Sequence, residues 1–410
     1  MNKPIPAIFS IIALSLAALA CSIGSTASDS PTDPNAVATS VAATVQVELA
    51  GGIPTSSAPT VSPDDAAADL LPHAVYFLSD TSGTMQLWRL ERDSITLQQL
   101  TFEATPVDDF AISPVTEEIA YLTNNQIITI RIDGRERALI VDGGPVAETE
   151  QYYRYEKIYS LAWSPNGRTL AYSRGGLALY SVLKGTSRVV LVNETNDVGG
   201  GILIAEKLYF PERWSPDGSK LLVTQAFYEG STLGVWDMAT ESYAQLQSDF
   251  MACCFTSWSP DSRTIWVASP YIGLIDPGLW RFDASSGIQT ELLAAQAADG
   301  TFNFASFPFE VGTDLLYFFA NTPTFPDGNV PLTLVRAPLG DINSRTALRP
   351  ETWILNDALW APDGSLVLGI QPTPTEFGTS YPAGTLVLIP ADGSPSRPLA
   401  SSAYNPAWGP

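Results

Sequence analysis

The chain is nearly without histidine: 410 residues hold one, His73, beside 3 cysteines and 4 methionines. A Ser-His-Asp relay needs an imidazole at the nucleophile, and His73 sits at the edge of the foldable region, before its first strand, which excludes that chemistry. The same count removes metal sites built from several histidines, and with them the lyases and lactone hydrolases that depend on such sites. No Asp-x-Asp-x-Asp loop marks a calcium site, so neither a metal ligand nor a cofactor is assigned. Basic residues are scarce as well: 21 Lys and Arg face 43 Asp and Glu, a net charge of −22, and no basic run occurs. Counterion release on nucleic acid requires clustered positive charge, so nucleic acid is not an expected partner. The excess of acid suits a soluble extracytoplasmic monomer. Cys-x-x-Cys is missing, which excludes dithiol redox catalysis. The adjacent Cys253 and Cys254 read either as two inert thiols or as a vicinal disulfide, a strained ring because neighbouring Cα atoms lie about 3.8 Å apart.

Long hydrophobic runs are absent after residue 20. The one before it, Pro6 to Ala20 behind Lys3, is too short to span a bilayer and is broken by Ser10 and Ser15, so residues 1–20 read as an export signal. It ends Leu16-Ala17-Ala18-Leu19-Ala20-Cys21, which resembles a lipoprotein cleavage site with Cys21 as the lipidated residue and membrane anchor. Ala18 stands where such sites usually carry Leu, and a plain secretory cut is the alternative. Residues 21–72 are Ser, Thr, Ala, Pro and Gly with scattered Asp and no aromatic side chain, a composition that reads as a disordered low-complexity tether. A flexible chain of that length holds the next domain on the order of 40 Å from its anchor.

What is present from residue 73 to 410 is a repeat. It reads Trp163-Ser164-Pro165-Asn166-Gly167, Trp214-Ser215-Pro216-Asp217-Gly218, Trp258-Ser259-Pro260-Asp261-Ser262, Trp360-Ala361-Pro362-Asp363-Gly364 and Trp408-Gly409-Pro410, with worn copies at Ile112-Ser113-Pro114 and Phe309-Glu310-Val311. The third positions differ by 51, 51, 44, 51, 51 and 48 residues, a period that belongs to propellers or solenoids. Behind Trp163 follow four short runs of strand character: 161–163, 169–173, 177–183 and 188–192. The Pro-Asp-Gly segment is turn chemistry, with Pro presetting φ, Asp bonding nearby amides and Gly accepting positive φ. Of the 10 tryptophans, five precede that turn and three (Trp88, Trp236, Trp280) fall in third strands, as expected of side chains packed between sheets.

The expected fold is therefore all-β, a seven-bladed β-propeller, with six or eight blades as lesser options. Ala74 to Leu78 resembles a second strand with no first strand before it, while Tyr404 to Trp408 is a first strand with nothing after it. The two fragments complete one blade, so that the C-terminal strand joins the N-terminal sheet and removes its open edges. Trp-Ser-Pro-Asp-Gly followed by a Leu-Ala-Tyr-like strand resembles the repeat of the TolB-like, WD40-like β-propeller family, over residues 73–410. The resemblance implies the fold; it says less of function, because propellers with this repeat include binding scaffolds and appendages of peptidases. The chain departs from TolB itself in having a tether where an α/β domain would stand.

In a meandering blade, loops joining strands one to two and three to four open on one side, and here they are uniformly short. The long stretches 142–157, 193–208, 269–278, 321–331 and 371–384 all belong to the other class and crowd the opposite rim. They carry Tyr152, Tyr153, Tyr155, Tyr271, Phe325, Phe377 and Tyr381, the candidate binding face. Tyrosines bordered by carboxylates suit a protein or glycan partner at the cell envelope; the plainer reading is that they pin their own loops. No catalytic residue is assigned. The rival readings are a glycosidase or lyase using channel carboxylates, and a purely structural envelope component.

Overall fold

The computed structural model describes residues 69–146, 157–199, 203–247, 254–271, 276–323, 330–375 and 378–410. Contacts divide the chain into two units, Met1–Asp65 and Ala66–Pro410, and the first lies outside the described residues. The second contains no α-helix among its described residues and is built from antiparallel meanders. Its strands, in chain order, are β1 (Val75–Ser79), β2 (Gln86–Leu90) and β3 (Leu97–Gln99), then β4 (Val107–Ile112), β5 (Glu118–Thr123), β6 (Gln126–Arg131) and β7 (Ala138–Asp142). Next come β8 (Leu161–Trp163), β9 (Thr169–Ser173), β10 (Gly176–Ser181) and β11 (Thr186–Val192), then β12 (Glu194–Asp197), β13 (Leu203–Trp214), β14 (Lys220–Phe227), β15 (Gly230–Asp237) and β16 (Ser242–Gln245). The series continues with β17 (Phe255–Trp258), β18 (Thr264–Ser269), β19 (Gly278–Asp283) and β20 (Gln289–Leu293), then β21 (Phe302–Val311), β22 (Asp314–Thr322), β23 (Leu332–Pro338) and β24 (Thr346–Trp353). Last are β25 (Asp357–Trp360), β26 (Leu366–Gln371), the short pair β27 (Pro374–Thr375) and β28 (Gly378–Thr379), β29 (Gly384–Pro390) and β30 (Arg397–Trp408).

Four of the described sheets have four strands, one has five (β12 to β16) and one has seven in the order β25-β26-β29-β30-β1-β2-β3, and the turn after the tryptophan has one hydrogen-bond plan. Ser215 Oγ donates to Asp217 Oδ1 at 2.7 Å and accepts from the Lys220 N–H at 3.0 Å, while Asp217 Oδ1 accepts from the Ser219 N–H at 2.9 Å. Ser164 with Asn166 and Ser259 with Asp261 repeat the arrangement. Gly218 holds φ 70°, and in the next copy Ser262 takes the same left-handed region at 63°. Its side chain has a use there, because Ser262 Oγ accepts the Asp217 N–H of the preceding turn at 3.1 Å.

Successive sheets are tied by the tryptophans. Trp214 Nε1 donates to Ala162 O at 3.0 Å, Trp258 to Arg213 O at 3.2 Å, Trp360 to Phe307 O at 3.0 Å and Trp408 to Trp360 O at 2.6 Å. Every acceptor lies in the first strand of the sheet before. In the worn copy, Glu310 takes over this linking task, accepting from Trp266 Nε1 at 2.8 Å. Apolar packing follows the same order. Of the seven hydrophobic clusters among the described residues, six join two sheets, as Tyr76, Leu78 and Leu87 do with Tyr121 and Ile128, and one, Phe77 and Leu90 with Leu368 and Leu386, lies within the seven-stranded sheet.

Three features depart from the sequence reading. The stretch 193–208 is not a plain loop: β12 folds onto the start of β13, with Glu194 opposite Lys207, because Leu203-Ile204-Ala205 extends the first strand outward. The low-complexity segment expected over 21–72 gives way to packed structure by Leu71, which is 1% exposed and joins the core around Val75 and Phe77, while the Leu70 and Leu71 N–H groups both reach Arg92 O. Finally, Tyr404–Trp408 is not a separate strand. It continues β30, whose first part pairs with β29 (Leu388 opposite Arg397) and whose second part pairs with β1 (Val75 opposite Trp408). Ala403 is shared, lying opposite both Gly384 and Ser79, and the strand changes sheet there through left-handed φ at Ser402 (52°) and Asn405 (50°).

Two outcomes follow. Trp214→Phe keeps an aromatic side chain but trims the indole and deletes its N–H, removing one of the two hydrogen bonds the Ala162 carbonyl accepts, and should cost about 1–3 kcal/mol in reversible denaturation; an unchanged midpoint would deny the tie any weight. Removing residues 401–410 strips β1 of one of its two partners and should lower the melting temperature by roughly 10 °C or more.

Candidate functional site

The longest connections are second-to-third or fourth-to-first, although other second-to-third connections, 124–125, 174–175 and 228–229, are two residues long. Second-to-third and fourth-to-first connections include 143–160, 270–277, 323–331 and 372–383, whereas first-to-second turns are as short as 164–168 and 312–313. Of the candidate binding residues, Tyr271 and Tyr381 are described. Tyr152, Tyr153, Tyr155, Phe325 and Phe377 lie outside the described residues, as do Cys21 and Cys253. Cys254 is disulfide-bonded. His73 is partly buried with its ring 6.5 Å from that of Trp408.

Tyr271 and Tyr381 come from different connections and meet at one cavity of about 220 Å³. They are 42% and 78% exposed. The Tyr381 segment is held in place: Asn356 Nδ2 donates to Ser380 O at 3.0 Å and Pro382 O at 3.1 Å, and Thr373 N–H donates to Ser380 Oγ at 2.7 Å. Below the mouth, Phe255 packs 6.4 Å from Tyr271 and 3.9 Å from Phe307, and Phe307 meets Phe318 edge-on at 6.1 Å. Burial, and after it the neighbouring Tyr381, push the Tyr271 phenol upward.

A second polar locus lies along the sheet ends formed by first strands. β4, β8, β17, β21 and β25 each stand last in their sheet with one backbone edge unpaired. Asp109 of β4 bridges three sheets there: Oδ2 accepts the Leu161 N–H at 2.9 Å and Oδ1 accepts Asn405 Nδ2 at 2.9 Å. Burial raises its carboxyl to about 7, against the lowering by those donors. Burial likewise raises Asp357 of β25, opposed by the Ala358 N–H and by Arg213. Tyr404 is raised to about 12 by burial and then by the charges of Asp109 and Asp357. A carboxyl that keeps its proton near neutrality is what general acid catalysis asks for. Both oxygens of Asp109 are, however, already engaged by protein donors, which makes it a clasp between sheets.

Sequence reasoning passed over these residues, although a signal was there. Counting back three from the first residue of each repeat gives Asp109, Ser160, Pro211, Phe255, Ser306, Asp357 and Asn405. Five of the seven are polar, at a place where a β-meander would ordinarily be apolar.

Comparison with known proteins bears on the architecture. No family model matches the chain, and no curated protein matches it. Among solved structures, a prolyl endopeptidase is similar at TM-score 0.52 and 11% identity, over 82% of this chain and 49% of that one. The fold is a β-propeller. This propeller spans about half the length of that peptidase chain. TolB from Acinetobacter baumannii is 17% identical over 80% of this chain and 79% of its own, with TM-score 0.41. Porphyromonas gingivalis dipeptidyl peptidase 4 is 11% identical over 77% and 48%, with TM-score 0.47. At such identities the likeness speaks of fold alone.

The Asp109 clasp has a pH signature. A carboxyl raised in the folded state contributes stability that is complete below its unfolded pKa near 4 and is lost as pH climbs through about 7. The turn carboxylates act elsewhere: Asp217, which hydrogen bonds from Ser215 and Ser219 hold at about 2 against burial, loses its contribution only as pH falls below about 4. The melting temperature of Asp109→Asn minus that of the parent should therefore rise between pH 4 and pH 7. A flat difference would contradict the assignment.

Proposed function

We propose that the chain is an exported, lipid-anchored propeller of seven blades, closed by β30, which binds a protein or glycan at the cell envelope through the face of long connections. The observation that carries this reading is the convergence of Tyr271 and Tyr381, exposed and on separate connections, over one cavity on that face. Aromatic side chains held on rigid supports supply contact area at small entropic cost. Support for seven blades comes from the seven clusters, six of which join two sheets, and support for closure from the shared strand. Cys21 and the segment after it supply the anchor and the reach, and the acid excess keeps the molecule from nucleic acid and from itself.

The raised carboxyl of Asp357 favours one rival, a glycosidase or lyase using channel carboxylates. Turnover of a polysaccharide by the purified protein, abolished by Asp357→Asn, would install that rival.

Cys21→Ser should move the protein from the membrane fraction to the soluble one. With that soluble form, sedimentation with isolated envelope fragments tests the face directly. Exchanging Tyr152, Tyr153 and Tyr155 together for Ala should reduce retention about tenfold, with the melting temperature unchanged. Equal retention would retire the face.

A further inference from the structure

We infer that the cavity beneath Tyr271 and Tyr381 is a binding site for a single uncharged sugar ring. The inference rests on the binding-face reading above and gives that face a ligand class. Four observations lead to it. The first is unspent hydrogen-bonding capacity. Ser306 is 1% exposed, its Oγ lacks any hydrogen-bond partner, and the indole N–H of Trp353 is buried and equally unpartnered; both residues line the cavity. Buried polar groups are paired in folded proteins because leaving one unpaired costs about 1–3 kcal/mol. Two residues that carry such groups stand in the wall of one cavity, where a ligand with hydroxyls would pair them.

The second is local backbone strain at the same wall. Phe307 adopts φ 52°, a left-handed conformation costly for an aromatic residue, within a register shift between Ser306 and Phe309 where β21 meets β22. A bulge of this kind re-aims side chains, and it sets Ser306 and Phe307 together on the cavity wall. The bulge also presents the Phe307 carbonyl to Trp360 Nε1, so the strained segment is held by the same tie that joins the sheets.

The third is the absence of charge. Among the described residues no Lys, Arg, Asp or Glu lines the cavity, whose described walls are Phe307, Phe318, Leu332 and Leu355 with Tyr271 and Tyr381 at the mouth. An ionic ligand would lose its hydration there without a counter-charge. A wholly apolar ligand would leave Ser306 and Trp353 unpaired. A pyranose meets both demands, offering a flat C–H face to the rings and hydroxyls to the two polar groups. The fourth is size. The volume of about 220 Å³ lies below the roughly 300–1,000 Å³ of pockets that enclose drug-sized ligands, which limits the occupant to one ring. A longer glycan would place its terminal residue here and run out over Tyr381.

The test uses the full chain carrying Cys21→Ser, titrated with N-acetylglucosamine, with methyl β-glucopyranoside and with phenol, read by tryptophan fluorescence and by saturation transfer from protein to ligand. At least one sugar should bind saturably in the roughly millimolar range of single-ring ligands. Ser306→Ala and Trp353→Phe should each weaken it about fivefold or more while the melting temperature of the free protein holds. Tyr381→Ala, at an exposed position, should weaken it as well. Three results would overturn the inference: neither sugar binds, binding ignores both exchanges, or phenol binds where the sugars do not. If the sugars fail while envelope retention still depends on the tyrosine cluster at 152–155, the binding face stands and only its ligand class falls.

Discussion

One hydrogen bond, repeated, sets the geometry on which the rest depends: an indole N–H reaching across to a first-strand carbonyl of the neighbouring sheet, as Trp214 does to Ala162 and Trp360 to Phe307. Dispersion and apolar burial hold sheets together but do not fix their relative rotation, because they are nearly indifferent to direction. A donor on a large rigid ring is not indifferent. It places each sheet at a set distance and angle from the last, and the same ring fills the wedge between them. The conserved geometry of the Ser-Pro-Asp-Gly turn in these copies then has a plain cause, since the turn holds the tryptophan strand in register with its partner.

The architecture was legible because its determinants are local. A turn motif every fifty residues or so, tryptophans in two registers, and two orphan strand fragments are visible without coordinates, and 161–163, 169–173 and 186–192 emerge as strands where the pattern asks for them. Even the worn copy at Phe309 forms a first strand, with Glu310 standing in for the missing linkage. The parts that were not legible depend on partners distant in sequence. Nothing local to Asp109 announces that it will meet Leu161 and Asn405, and nothing around Ser306 announces a bulge. The same limit explains 193–208, where the pairing of β12 with β13 replaces an expected loop.

The acids divide into two populations with opposite physics. Those in the turns, such as Asp217, Asp261 and Asp363, accept several short-range donors near solvent and are held below the usual carboxylate range. Those on the first strands, Asp109 and Asp357, are enclosed and pushed above it. Charge is thus tolerated at the rim of each sheet and resisted at the inner end. Polar character there survives as neutral groups, Ser306 and Asn405 among them, and the cavity under Tyr381 continues the same economy of charge.

The change of sheet at Ala403 carries a consequence for folding. The sheet containing β1 is not complete until the distant residues of β30 pair with it, so this most non-local contact forms late in folding. Until then that edge of β1 stays open, so the pairing that completes the sheet is also the one that withdraws the edge from proteases and from other chains.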